Sequence, residues 1–214
     1  MMHDIQGELP TGFEMEMNAP YSLNYLIMIQ NIYLNSKNRE EEGPLFPYVN
    51  TSTWGILDKE FEGIFTEVWK VAVDKNSQDH MYDHNGVFHL DNEVYQKLFY
   101  KNEAGAFGYS ESVKFFLAWW SGIHGKIAIE AVFDHDRMDK VYRELSHSIK
   151  INKRLRIHLI YDKSVLTGRS ERSWYAVVPI EDVFIHKRRP QLLSNLLNSC
   201  KGIYSYLRTI LGVN

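Results

Sequence analysis

Glu130 stands in an otherwise apolar run, Ile127-Ala128-Ile129-Glu130-Ala131-Val132, and Asp134 and Asp136 follow close behind it. A carboxylate inside a buried segment is costly unless it is ion-paired or bound to a metal. Asp134-His135-Asp136 brings together the groups that hold a metal ion or exchange a proton. Aspartates are also preferred helix caps, and acidic residues suit a helix N-terminus, so both roles fit these two positions. For Glu130 the alternatives are a metal, an ion pair with Lys126, Lys114 or a basic residue of the helix that follows, or solvent. A second constellation lies between Asp79 and Asp91. His80 and His84 are four residues apart, Asp79 and Asp83 repeat that spacing, and His89 follows. Histidine plus carboxylate at one helical turn suits zinc or another transition metal. The competing reading is a polar loop entering a hairpin at Asn85-Gly86.

Charge adds a third feature. The chain has 214 residues and a formal charge of −3. Residues 1–136 carry 9 basic and 21 acidic residues, a net of −12, whereas residues 137–214 carry 15 and 6, a net of +9. Segregation of this kind suggests either a polyanionic partner for the basic part or two parts of one domain that attract each other. Lys150, Lys153, Arg154, Arg156, Arg169, Arg172, Lys187, Arg188 and Arg189 are the candidates for phosphate contacts. Lys187-Arg188-Arg189 also sits where a last helix begins, a place that favours an external anion.

Other classes are excluded or unsupported. The chain is 44% hydrophobic and 14% aromatic, unlike a disordered segment. No apolar run reaches the roughly 18 residues of a membrane span, and the N-terminus shows no basic-then-apolar leader. The expectation is a cytoplasmic protein that does not enter the membrane. One cysteine, Cys200, rules out an internal disulfide framework. It falls in a helical pattern and reads as a buried structural thiol. There is no phosphate-binding loop, dinucleotide glycine fingerprint or nucleophile elbow, and the tryptophans read as core.

The elements that must position these residues follow from periodicity. Residues 1–19 read as an acidic, aperiodic surface arm. Helices are predicted from Pro20 through Leu34, from Phe61 through Ala72, and over a shorter stretch from Asp91 to Phe99. Gly105-Ala106-Phe107-Gly108 reads as a flexible break. Val113–Trp120 and Lys126–Phe133 read as two strands joined by a glycine-flanked hairpin. A helix through Met138–Ile149 follows, then strands at Leu155–Tyr161 and Trp174–Ile180, and a last helix from Arg189. The chain thus reads as one domain over 1–214, with an arm (1–19), a helical part (20–104), a sheet core (105–186) and a C-terminal helix (189–212). The class is α/β bordering on α+β: a mixed sheet of about four strands with a crossover helix, N-terminal helices packed on it and a C-terminal helix.

The β–β–α–β order over residues 113–161 resembles the core of the restriction-endonuclease-like, or PD-(D/E)XK, nuclease superfamily. In that core a hairpin carries metal-binding carboxylates, its second strand ends in hydrophobic-Glu-x-Lys, a helix crosses over and a hydrophobic strand returns. Ile127–Val132 matches the second strand and supplies Glu130. Met138–Ile149 matches the crossover helix and Leu155–Tyr161 the returning strand. The lysine position is Val132, and Phe116–Trp119, where the leading aspartate aligns, holds no carboxylate.

The resemblance implies contact with DNA or RNA and, in an active variant, Mg²⁺-dependent phosphodiester cleavage. Mg²⁺ would bind the scissile phosphate and lower the pKa of the attacking water. Glu130, Asp134 and Asp136, with Glu111 as a further contributor, would supply its ligands and the catalytic groups. In an inactive variant the fold survives without the metal and needs no cofactor. The alternative function is a non-catalytic protein–protein interaction or regulatory module of a mobile-element or defence type, engaging a protein partner or a second copy.

Overall fold

The computed structural model describes residues 12–37, 43–131, 135–168 and 170–201, with the backbone alone at 135–137, 171 and 201. Its centre is helix α1 (Tyr21–Ser36), in which every residue from Ser22 to Leu34 is buried. A helix with no solvated face belongs to the middle of a core, and the rest of the chain packs around it. Pro20 precedes α1 and offers no side-chain cap. The cap comes from far along the chain. The carboxylate of Asp83 accepts the amides of Tyr21 at 2.5 Å and Ser22 at 2.8 Å. A carboxylate at a helix N-terminus satisfies free N–H groups and complements the helix dipole.

The polar residues of α1 point at backbone. Asn24 Nδ2 donates to the carbonyl of Leu159 at 2.8 Å, and its Oδ1 accepts the amide of Tyr161 at 2.9 Å. Gln30 Nε2 donates to the carbonyl of Lys163 at 2.9 Å, while its Oε1 accepts the amides of Val165 at 2.9 Å and Leu166 at 3.1 Å. Asn31 reaches the carbonyl of Phe46 at 2.8 Å and Asp162 at 2.9 Å. These side-chain amides hold the 159–166 segment against α1. Gln30→Leu is therefore expected to leave three backbone groups unpaired and to cost about 2–3 kcal/mol. The urea midpoint at constant slope measures this, and a change below about 0.5 kcal/mol would show that other contacts anchor the loop.

The sheet holds three parallel strands, β1 (Phe13–Asn18), β2 (Lys153–Ile160) and β4 (Tyr175–Pro179). A two-residue strand, β3 (Glu171–Arg172), adds antiparallel to β4, giving the order β1-β2-β4-β3. Phe13 pairs with Lys153 in register, and Ile160 with Pro179. β2 and β4 lie where the sequence places strands. Of the expected surface arm over 1–19, residues 13–18 are instead an integral strand, and residues 1–11 lie outside the described residues. Phe13-Glu14-Met15-Glu16-Met17 alternates in type, so one face meets the protein and the other carries the glutamates. Phe13 stacks on Tyr142 with ring centres 5.5 Å apart. Asn76, on the helix packed beside the opposite face, accepts from Arg156 Nη1 at 3.0 Å through its carbonyl.

Helix α2 (Phe61–Gln78) buries Phe61, Phe65, Val68, Trp69, Ala72 and Val73, close to the predicted stripe. Two short turns follow, α3 (Val87–Leu90) and α4 (Asn92–Tyr95). Asn85-Gly86 is not a hairpin: Gly86 has φ −82° and leads into α3, whereas the favoured hairpin turn needs positive φ.

The largest correction concerns residues 103–131. Val113–Trp120 is not a strand but the end of helix α5 (Glu103–Trp120). Asn102 caps it by accepting the Gly105 amide at 2.9 Å. Gly105, Gly108, Tyr109, Ser112, Val113, Phe116 and Trp120 form its buried stripe, at helical spacing throughout. Seen alone, the aromatic end of this stripe does not distinguish a strand from a helix. The upstream half, misread as a flexible break, does. The supposed second strand is a π-type turn at Ile123–Ile127 followed by α6 (Ala128–Ala131). The hairpin on which the nuclease resemblance rests is thus helical in both described segments. The remaining helices are α7 (His135–Ser148), α8 (Ile180–Phe184) and α9 (Arg189–Lys201). The described buried residues form a single hydrophobic cluster that includes residues of the sheet and of α1, α2, α5, α7 and α9.

Candidate functional site

Of the carboxylates proposed for metal chemistry, only Glu130 and Glu111 have side chains among the described residues. Glu130 lies on α6 with a side chain 43% exposed, and Lys126 Nζ stands 3.6 Å from it at the i,i+4 spacing. Asp134 lies outside the described residues. Asp136 is in the first turn of α7, and its side chain is also outside the description. Glu111 is on α5 and pairs with Lys114 at 2.8 Å. Among the described residues no three His, Cys, Asp or Glu side chains are grouped to hold a metal ion. Glu130 and Glu111, each ion-paired with a lysine, do not by themselves make the oxygen donor set that Mg²⁺ needs.

The 79–91 segment has local structural roles instead. Asp79 accepts the Met81 amide at 2.8 Å, and His84 Nδ1 accepts the Gly86 amide at 3.0 Å. His80 and His89 are exposed. Asp83 caps α1, and Asp91 pairs with Lys75 at 2.5 Å. Desolvation pushes the Asp83 carboxyl above the usual carboxylate range, while the Ser22 and Tyr21 hydrogen bonds pull it back down.

The segregated charges meet each other. Arg154 bonds Glu14 at 2.7 Å and Glu16 at 3.3 Å, and Arg172 bonds Asp74 at 2.8 Å. Both arginines belong to the basic part and all three acids to the acidic part. Arg189 pairs with Glu144 at 2.5 Å, and Arg188 with Glu181 at 2.6 Å and Asp182 at 3.0 Å. Arg156 Nη1 donates to the Asn76 carbonyl at 3.0 Å. Lys150 donates weakly to the Ser146 carbonyl at 3.4 Å, and the Lys153 ammonium lies 5.4 Å above the Trp174 ring. Lys187 is exposed beside Arg188, and Arg169 lies outside the described residues. Cys200 is buried in α9, and burial pushes its thiol up to about 11, which suits a structural role.

No family model, curated protein or solved structure matches this chain. The site must therefore be read from its own chemistry.

Two surface features are built from described residues. One is apolar. Phe46, Trp119 and Tyr161 pack ring against ring, with centres 5.0, 6.0 and 5.1 Å apart. Phe46 is 52% exposed. The π-type turn that follows α5 exposes Ile123 at 74% and Ile127 at 56%. The other is a cleft of about 380 Å³ at the ends of β2 and β4. Its lining includes Trp69, Ile160, Val177, Lys163, Glu181 and Arg188. Neither feature has a simple signature in the sequence: both unite residues from distant segments. No helix among the described residues is long and apolar enough to cross a membrane.

Proposed function

We propose that the chain is a non-catalytic protein-interaction module that associates with a second copy of itself through the Phe46–Trp119–Ile123 surface. The observation that carries this reading is the exposed apolar group at the end of α5. Isolated exposed apolar residues are ordinary, but a packed aromatic group with two exposed isoleucines a few residues along the same segment supports a contact surface. The charges on the same elements favour a second copy. Lys114–Glu111 on α5 and Lys126–Glu130 on the following turns present both signs together. A patch that carries both signs can meet itself across a two-fold axis with opposite charges opposed. The small net charge of −3 does not oppose such pairing.

The matching of basic with acidic residues supports the same reading over nucleic-acid contact. A polyanion would have to displace Glu14, Glu16 and Asp74 from Arg154 and Arg172. DNA affinity is accordingly expected to be weak and without the steep salt dependence of multiple phosphate contacts.

Light scattering at about 100 µM is expected to give a mass near twice 25.1 kDa, falling to the monomer on dilution and in Ile123→Asp. Phe46→Asp should act likewise, with unchanged circular dichroism. A monomer at every concentration would overturn the proposal. So would DNA or RNA cleavage with Mg²⁺ or Mn²⁺ that Glu130→Ala abolishes, which would restore the nuclease reading.

A further inference from the structure

We infer that the cleft at the carboxyl ends of β2 and β4 binds a small molecule that joins an apolar body to a carboxylate or phosphate. In parallel sheets the strand ends leave a crevice where loops diverge, and ligands bind there. Here Ile160 ends β2 and Pro179, its partner in register, ends β4. The volume of about 380 Å³ falls at the small end of ligand pockets.

The lining divides by chemistry. Trp69, Ile160, Val177 and Pro179 supply an apolar wall. The indole N–H of Trp69 donates to Ser170 Oγ at 2.7 Å, which fixes the ring. Above this wall stand two cations, Lys163 from the loop after β2 and Arg188 from the turn before α9. Glu181 lies between them, 3.0 Å from Lys163 Nζ and 2.6 Å from Arg188 Nη1, and Asp182 is 3.0 Å from the same Nη1.

An accounting of donors indicates the ligand's sign. Arg188 offers five N–H groups, and its ion pairs with Glu181 and Asp182 both fall on Nη1. Its Nε and Nη2 have no partner among the described residues. Lys163 Nζ has three N–H groups and one close carboxylate. Glu181 thus holds both cations in position, with their mutual repulsion offset, while leaving donors unspent beside an apolar wall. A planar or tetrahedral oxyanion fits the free edge of a guanidinium, and its apolar portion fits the wall.

The test is calorimetry and thermal shift with four probes: 3-phenylpropionate, phenyl phosphate, benzyl alcohol and inorganic phosphate. Saturable 1:1 binding is expected for one or both of the first two, about 10-fold tighter than for the last two. The stronger of the first two identifies the headgroup as carboxylate or phosphate. Gln191→Trp, at an exposed lining position, should fill the cleft and abolish binding without lowering the melting temperature. Arg188→Lys keeps the charge but loses the free guanidinium edge, and should weaken binding about 10-fold. No saturable binding of either anion up to about 10 mM would overturn the inference, as would undiminished binding in Gln191→Trp.

Discussion

Gly108→Ala is expected to destabilise the chain by about 3 kcal/mol or more, the upper range for overpacking a core. A methyl group built on Gly108 would lie 1.6 Å from the carbonyl oxygen of Trp54 and 2.3 Å from its carbonyl carbon. These are backbone atoms, so no side-chain rotation relieves the clash. Either α5 or the 51–57 segment must move as a unit. Alanine is otherwise the better helix former by about 1 kcal/mol, so helix propensity alone predicts the opposite sign. The neighbouring Gly105 repeats the arrangement: its added methyl would lie 1.9 Å from the carbonyl oxygen of Tyr100. Gly63, on α2 with nothing within 4 Å, is the control, and Gly63→Ala should be neutral or stabilising. Urea unfolding of the three variants decides the matter. Equal stability of Gly108→Ala and Gly63→Ala would show that α5 does not approach the 51–57 segment as closely as described.

Acid should destabilise the protein through His158, and His158→Gln should remove that sensitivity. His158 is 2% exposed in the middle of β2, with its Nδ1 3.1 Å from the Tyr175 hydroxyl. Burial, then the positive charges of Arg156 and Lys126, lower its pKa to about 3. The folded histidine is therefore neutral where an unfolded one, titrating near 6.5, takes a proton. The unfolded state binds more protons between those two values, so stability falls as pH drops through the window from about 6.5 to 3. At pH 4.5 the deficit against neutral pH is about 2–3 kcal/mol, rising toward an upper limit on the order of 4 kcal/mol near pH 3.

Asp83 opposes this trend. Its folded pKa is raised, so its contribution is present below the unfolded carboxylate pKa and is lost as pH rises through the folded value. Comparison of the parent with His158→Gln at pH 7 and pH 4.5 cancels that background. Parallel losses in the two proteins would show that His158 takes no part.

Much of this fold can be read from local pattern. Leu155, Ile157 and Leu159 alternate within β2, and the Phe61-to-Ala72 stripe shows α2 at sight. The same rule was available for β1, where phenylalanine and methionine alternate with glutamate, but acidity and flanking prolines masked it. α5 was hidden for a different reason. Its glycines look like a break because their role is to let backbones approach, Gly105 against Tyr100 just before the helix and Gly108 against Trp54 far back in the chain. The polar residues of α1 were equally opaque: Asn24, Gln30 and Asn31 in an apolar helix gain meaning only from the 159–166 segment they hold.

The candidate sites divide in the same way. The pairing of Glu130 with Lys126 follows from i,i+4 spacing once the segment is known to be helical. The cleft required register, because Ile160 and Pro179 become neighbours only through strand pairing. The charge segregation was visible in full, but whether it served a partner or the molecule itself depended on Arg154 meeting Glu14 and Glu16.

The pairing of β1 with β2 has a kinetic meaning. Arg154 and Glu14 face each other across 140 positions, with nearly all the helices between them. At about 5–20 residues per second of synthesis, β1 waits on the order of 10–30 seconds before its partner exists. During that interval α1, buried on every side in the finished protein, has neither the sheet nor the 159–166 segment to cover it. The sheet is thus a late structure, closed by the last third of the chain. Pairings this distant are slow because loop closure comes before the contacts that compensate for it. The burial that makes α1 the centre of the finished protein makes it the most exposed liability of the growing one.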